Sequence, residues 1–585
     1  MHLNFLDWAS IALYILISLG IGIYYRKRAG KDLASFFLGG RKLPWFLAGI
    51  SMVATTFAAD TPLAVTELIN KNGISGNWLW WNMLIGGMLT TFFFARLWRR
   101  ANVLTELEFI ELRYAGKRAA FLRGFKAVYL GIFINTLIIS WVNIALMAII
   151  KVMFDVPDDQ LIWYVGLAML IAATYSSLSG LLGVAVTDAL QFCIAIAGSI
   201  VLAVLVVNSA EIGGLSGLKA QMPAWSLDFF PSIGSNGANA GKALTITLGS
   251  FLAYIGVQWW ASWYPGAEPG GGGYVAQRMM STKDEKHAIK ATLFFQIAHY
   301  AIRPWPWILV ALSTVILYPQ LGAGEEKLGY VMAIRDYMPP GLTGLLLVAL
   351  LAAYMSTIST QLNWGASFIV NDLYKRFLRK GQQESHQENR RLVFAGRVTT
   401  LVIMVVALYI TTLVENITDV WVFLLECGAG LGLVLILRWY WWRINAWSEI
   451  TATLIPFGAY AIARFMLELQ FPNSFFFTVG ITTLSWLLVT FLTAPTPKET
   501  LVKFCKQVRP LGAWKLIYQS ASLERPEEKM SYLFVNWFSS VVFTYAILFF
   551  SGKLLFLEWH AAGLWFGIAI IAGLTLRWGL KKQTY

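Results

Sequence analysis

Residues 353–363 read Ala-Tyr-Met-Ser-Thr-Ile-Ser-Thr-Gln-Leu-Asn, which sets the hydroxyls of Ser356, Thr357, Ser359 and Thr360 inside an otherwise apolar run. Lipid offers a hydroxyl no partner, so each must find one within the protein. Hard oxygen donors gathered at bilayer depth suit a small alkali cation, Na⁺ above all. The same hydroxyls can instead bond back to carbonyls one turn earlier in their own helix. Taken alone, the run leaves both readings open. Asp188 is a second signal, in Ser179-Gly180-Leu-Leu-Gly183-Val-Ala-Val-Thr187-Asp188-Ala-Leu-Gln191. An ionised carboxylate within an apolar span costs a few kcal/mol unless partnered, so it defaults to a functional role. The plainer alternative is a cap at the membrane interface.

Three further charges sit where apolar residues are expected. Asp60 lies in Ala-Thr-Thr-Phe-Ala-Ala-Asp-Thr-Pro at 54–62, Arg303 in Arg-Pro-Trp-Pro-Trp, and Glu426 just before Gly428-Ala-Gly430. A guanidinium at this depth could clamp a carboxylate bidentately, and Asp60 or Glu426 could meet an amine. Arg303 could equally pair with an acid for structural reasons. The 26 Trp fit interfacial belts, although Trp260 and Trp263 could wall a pocket beside a helix break.

The elements that must carry these residues are membrane helices. The chain has 585 residues, 57% of them hydrophobic and only 13% charged, with a mean hydropathy of +0.60; soluble domains carry about 25% charged residues. About fifteen apolar stretches of roughly 20 residues can be marked out, which predicts an all-α polytopic membrane protein. Arg26-Lys27-Arg28, Arg99-Arg100, Lys117-Arg118, Lys375-Arg376, Arg390-Arg391 and Lys581-Lys582 all fall on one side of those spans when the N-terminus is outside and the C-terminus cytoplasmic. The net charge of +14 is therefore a positive-inside topology signal and not a nucleic-acid footprint. Asp7 precedes the first span and its basic residues follow it, which predicts a retained helix instead of a cleaved leader. Cys193, Cys427 and Cys505 imply neither a disulfide framework nor a metal site. No nucleophile–base pair or phosphate loop appears, so an enzyme or ATP-driven pump is not indicated.

Two segments look like helix breaks. One is 54–62; the other is Trp-Tyr-Pro-Gly-Ala-Glu-Pro-Gly-Gly-Gly-Gly at 263–273. Interrupted helices are tolerated at depth only where their freed carbonyls line a cavity or bind an ion. They fall in the second and seventh spans, as a five-plus-five inverted repeat behind one extra N-terminal helix requires. The organisation predicted is an extra helix and loop at 1–42, a first repeat at 43–207, an external loop at 208–242, a second repeat at 243–443, and additional helices at 444–585. The polar stretch 495–532 is expected to lie along the membrane surface as an amphipathic helix.

Four stretches carry a resemblance. They are the Gly-x-x-Gly-Val-x-Val-Thr-Asp-x-x-Gln segment, the Gln277-Arg278 pair, the Ala-x-x-Ser-Thr-x-Ser-Thr-x-Leu-Asn run ending in Asp372-Leu-Tyr374, and Phe37-Leu-Gly-Gly-Arg-Lys-Leu-Pro44-Trp45. Over residues 5–443 the chain resembles the sodium:solute symporter family. The resemblance implies the LeuT-like inverted-repeat fold and Na⁺-coupled solute uptake through the plasma (inner) membrane. It implies a principal Na⁺ site from the carbonyls of Ala54, Phe57 and Ala353 with the hydroxyls of Ser356 and Thr357. It also allows a second Na⁺ at Asp188, Ser359 and Thr360. Where the sugar transporters of the family place Asn and Gln on the first core helix, this chain has Thr56 and Thr61, which argues against a monosaccharide. Thr56, Asp60, Thr61, Trp260, Trp263, Arg303 and Glu426 are the candidate solute residues, for a small polar or charged organic molecule. Proton coupling through Asp188 on the same fold, or a sensor on a transporter scaffold, remain the alternatives.

Overall fold

The computed structural model describes residues 3–29, 38–103, 105–176, 181–231, 252–378 and 386–583. Phe37, Ser179, Gly180 and the end of the 208–242 loop lie outside the described residues. Among the described residues regular structure is helical throughout, apart from two isolated parallel bridges, Leu43 with Thr282 and Trp441 with Ala513. Among the described residues, eight helices are long and apolar enough to cross a bilayer, and up to ten when each of two bent pairs is counted as one span. Several of the fifteen apolar stretches are not single rods. The stretch 77–98 is divided among Trp78–Trp81, Met83–Leu89, a π turn at Thr90–Phe94 and Ala95–Ala101. Leu484, Leu488 and Phe491 are more than half exposed on the helix Asn473–Leu492. That is the surface a lipid-facing helix presents.

Both breaks are present, and each has a local cause. The first joins Trp45–Thr55 to Asp60–Asn72 with a bend of 56°. The Trp45 N–H is capped by His287 Nδ1 at 3.0 Å, and Pro62, having no N–H, sits in the first turn of the second half, where its missing donor is harmless. The second break leaves helix after Ala261 and re-enters at Gly273. A further bend of 55° separates Ile417–Cys427 from Leu431–Tyr440, at Gly428-Ala-Gly430, where the apolar pattern alone predicts one continuous span. There the Gly430 N–H donates to the Ala261 carbonyl at 3.0 Å, so one interruption satisfies the other.

The first helix, Phe5–Ala29, is tied in by Asp7. Its Oδ1 accepts the N–H groups of Gly341 and Gly344, each at 2.8 Å, at the start of the helix Leu342–Ser367. A carboxylate meeting the unpaired donors of a helix N-terminus is a favourable placement. The loop beginning at 208 includes a short helix, Gly214–Gln221. The 495–532 stretch differs from expectation. Its helix Lys498–Val508 buries Leu501, Phe504, Cys505 and Val508, but Phe504 packs on Phe109, Trp439 and Trp514. The amphipathic face is covered by protein and not by lipid headgroups.

Candidate functional site

The four unwound residues Thr56–Ala59 lie at the centre of the site. The turn is held by the Phe57 N–H donating to Ala54 O at 3.0 Å, the Thr61 N–H to Ala58 O at 3.3 Å and the Thr61 hydroxyl to Thr56 O at 3.4 Å. None of these bonds uses the Phe57 carbonyl. The Phe57 ring stacks on Trp307 at 5.4 Å, which fixes the turn against the helix Pro304–Leu317.

Asp188, on the helix Leu181–Val207, is 2% exposed. Its Oδ2 accepts the Ser51 hydroxyl and its Oδ1 the Ser356 hydroxyl, each at 3.1 Å. One carboxylate thus joins the first half of the broken helix to the hydroxyl run. Arg278 closes the group: its Nε reaches Ser51 Oγ at 3.4 Å and its Nη2 reaches Thr55 Oγ1 at 3.2 Å. Because Ser356 gives its single hydrogen to Asp188, the lone pairs of its oxygen are left for another partner. Ser359 is different, since its hydroxyl returns to the Ser356 carbonyl at 3.0 Å. Thr360 is half-buried on the same helix. Ala54, Phe57 and Ala353 are buried. Carbonyl and hydroxyl oxygens, without sulfur or imidazole, are the donor types that suit a hard cation such as Na⁺.

Next to these residues lies a cavity of about 80 Å³. A water needs about 10–15 Å³ of such space, so several water-sized groups fit. Thr55, Thr56, Asp60 and Thr61 reach it from the broken helix, Thr357 and Gln361 from the hydroxyl run, and Tyr264, Gly266 and Tyr274 from the second break. Trp80, Trp141 and Trp421 complete its aromatic wall. Thr357 therefore shares a wall with Thr56 and Ala58 of the unwound turn.

His299, Tyr300 and Arg303 enter the cavity because the helix is distorted there. Glu285–Ile297 passes into a π turn, Ala298–Ile302, with the Arg303 N–H bonded five residues back to Ala298 O at 3.2 Å. Pro304 supplies no N–H to continue the ladder, and single π turns recur at functional sites. The Arg303 guanidinium donates from Nη1 to Val53 O at 3.3 Å and from Nη2 to His299 Nε2 at 3.3 Å, and lies over the Trp307 ring at 5.2 Å. Arginine only donates, so His299 Nε2 carries no proton. The proton is on Nδ1, 3.2 Å from Thr56 Oγ1.

Of the solute residues expected from sequence, Thr56, Asp60, Thr61 and Arg303 line this cavity; Trp260, Trp263 and Glu426 do not. Trp260 Nε1 donates to Gly256 O at 2.7 Å, Trp263 is buried against Gly428, and Glu426 Oε2 accepts the Ser474 hydroxyl at 3.4 Å. His299, Tyr264, Tyr274, Tyr300, Gln361 and Trp141 line it without having been singled out by the sequence. Only the Pro-flanked Arg303 hints at a disturbed helix, and the glycine run after Tyr264 at a close approach.

Comparison with known proteins concerns the chain as a whole. Residues 36–455 match the model of the sodium:solute symporter family. The sodium/glucose cotransporter of Vibrio parahaemolyticus is 24% identical over 507 residues, 82% of this chain and 89% of that protein. The osmoregulated proline transporter OpuE of Bacillus subtilis is 26% identical over 461 residues, 76% of this chain and 86% of that protein. A Na⁺-coupled sialic acid symporter, solved in a substrate-bound outward-open state, superposes with a TM-score of 0.64 at 19% identity, covering 84% of this chain and 99% of that one.

Proposed function

The chain belongs to the sodium:solute symporter family, and from that premise we propose that it imports a small polar or charged organic solute with Na⁺ by alternating access. The membrane is the plasma (inner) membrane, with the N-terminus outside and the C-terminus cytoplasmic, as the one-sided Lys and Arg clusters favour. Na⁺ is held by the carbonyls of Ala54, Phe57 and Ala353 and the hydroxyls of Ser356 and Thr357. The observation that carries this reading is the link from Ser51 through Asp188 to Ser356. It fixes the hydroxyl run against the broken helix and leaves the Ser356 lone pairs free for the ion.

Na⁺ pins the unwound turn to the hydroxyl run and so organises Thr56, Asp60 and Thr61 for the solute. The coupling is reciprocal, so solute must raise Na⁺ affinity by the same factor. Asp188 with Ser359 and Thr360 forms a second Na⁺ position in this reading. The return of the Ser359 hydroxyl to its own helix makes it the weaker one.

The test is uptake into proteoliposomes at varied external Na⁺. Ser356→Ala and Thr357→Ala are expected to raise the Na⁺ concentration for half-maximal uptake by about tenfold or more, the loss of one charge-assisted contact of about 1.5–3 kcal/mol. Unchanged Na⁺ dependence in both variants removes the assignment. Equal uptake in Na⁺-free buffer under an imposed pH gradient replaces it with proton coupling through Asp188.

A further inference from the structure

The cavity holds two formal charges of opposite sign that form no ion pair with each other among the described residues. Asp60 is 5% exposed and Arg303 is 1% exposed. Asp60 Oδ1 and Arg303 Nε have no hydrogen-bond partner. Gln361 Oε1, on the facing helix, has none either. Arg303 is held through its other nitrogens and Asp60 also meets Trp141, but an unpaired atom on a buried charged group is costly, which is tolerable where a ligand completes it.

We propose that this cavity is built for a small zwitterion bearing N–H donors, its carboxylate on Arg303 and its ammonium on Asp60. The inference rests on the transport reading above and narrows its solute class. The amine end offers two acceptors without a hydrogen-bond partner, Asp60 Oδ1 and Gln361 Oε1, on residues that both line the cavity, which suit an ammonium with more than one hydrogen to give. The carboxylate end is the Nε edge of Arg303. Val53 O and His299 Nε2 hold the guanidinium from its other nitrogens, and Trp307 lies beneath it. The fork is therefore oriented before solute arrives, which lowers the entropy lost on binding.

The charge balance excludes neighbouring classes. A simple anion would satisfy Arg303 and leave Asp60 buried beside a second negative charge; a simple cation would do the reverse. A sugar would bond to both groups and neutralise neither. A quaternary ammonium suits an aromatic cage but has no hydrogen for Asp60 Oδ1 or Gln361 Oε1. The rings of Trp80, Trp141, Trp421 and Tyr264 then cover the carbon skeleton.

The experiment is a thermal-shift and binding screen of the purified full-length protein in detergent, run in NaCl and in choline chloride. The probes are each proteinogenic L-amino acid, β-alanine and γ-aminobutyrate, with glycine betaine, D-glucose, lactate and ethanolamine as comparison compounds. At least one amine-bearing zwitterion is expected to raise Tm in NaCl. Its amide, N-acetyl and N-trimethyl derivatives should bind on the order of a hundredfold more weakly, as loss of one partner of a buried charge pair requires. Asp60→Asn and Arg303→Gln, checked for monodisperse elution, should lose affinity for the parent compound to a similar degree. The derivative series carries the same test should a variant not fold. The proposal is overturned when glucose or a singly charged probe binds as tightly, or when no zwitterion shifts a protein that Na⁺ itself stabilises. Absence of any Na⁺ effect together with Na⁺-independent uptake would instead overturn the transport reading.

Discussion

At the level of single residues, the His299 ring is the hinge of the site's polar order. It takes a hydrogen from Arg303 on one nitrogen and gives one to Thr56 on the other. His299→Leu should leave an Arg303 donor unpaired in a buried place, at about 1–3 kcal/mol, and weaken solute affinity roughly tenfold or more. The Na⁺ requirement should stay unchanged at saturating solute. His299→Gln, which keeps an acceptor, should lose less; a KM for uptake equal to wild type in the Leu variant would remove the role. Charges are legible in the sequence because an ionised group in an apolar run has few innocent explanations. Asp60, Asp188 and Arg303 stand out for that reason. His299 and Tyr300 do not, because their approach to the cavity depends on a π turn that shifts the face of the helix and leaves no periodic trace. Glu426 stands out equally but settles its carboxylate on Ser474, away from the cavity. Intramembrane charge marks a constrained residue without saying which constraint applies.

Elements position these residues through a few backbone conditions. Gly266 has φ +82°, and a Cβ there would lie 2.1 Å from the Tyr274 hydroxyl and 3.1 Å from Thr56 Cγ2. Gly266→Ala is strained by the left-handed backbone and pushes Tyr274 and Thr56 apart. It should abolish solute-induced stabilisation while leaving the protein folded, as read by a thermal shift with and without solute. The helix Lys498–Val508 tests a different condition. Its 3.6-residue pattern of apolar positions is readable, but its covering is not, because amphipathicity specifies a face and not the partner. Phe504→Ala should destabilise by about 3–5 kcal/mol and lower Tm, with Na⁺ dependence of uptake unaltered; a headgroup-bound face would show little Tm change in detergent. A charged cluster on the connecting segments adds a pH signature. Burial pushes the Glu111 carboxyl up, but Arg376 at 2.7 Å and Arg123 at 2.6 Å outweigh it, so it ends below its ordinary value. A lowered carboxylate stabilises the fold above its unfolded value, and that contribution is lost as pH falls through the folded one. Glu111→Gln should therefore lower Tm near neutral pH, and the difference from wild type should close only in acid, below the ordinary carboxylate value of 4.5.

For the molecule as a whole, alternating access requires that one end of the cavity be tied shut while the other can part. The second half of the broken helix runs from Asp60 at the cavity to Glu67 about two turns away, or about 10 Å. There the buried Glu67 accepts the Thr418 hydroxyl and is also bridged by Lys71 at 2.9 Å. Thr418 lies one turn before Trp421, which lines the cavity from the other bent pair. The two helices therefore meet on the Glu67 side of the cavity. At the opposite end, Leu43 pairs with Ser281 and Lys283, and Arg100 bridges Glu285 at 2.7 Å. The inverted repeat is legible as two breaks five spans apart, whereas the ties between helices are not, since Glu67 and Thr418 lie 351 positions apart and Arg100 and Glu285 lie 185 apart, with no local pattern. Thr418→Val removes one hydrogen bond to a buried carboxylate, worth about 1.5–3 kcal/mol. That loss should raise the ratio of open to closed protein at this end by about tenfold or more. In a Cys193→Ser background, a cysteine placed at Thr61 should then react faster with a membrane-impermeant maleimide by about that factor, and Na⁺ should modulate the rate. Equal labelling with and without the Thr418→Val substitution, with Lys71 intact in both proteins, would mean that the Glu67 contact packs the helices without gating them.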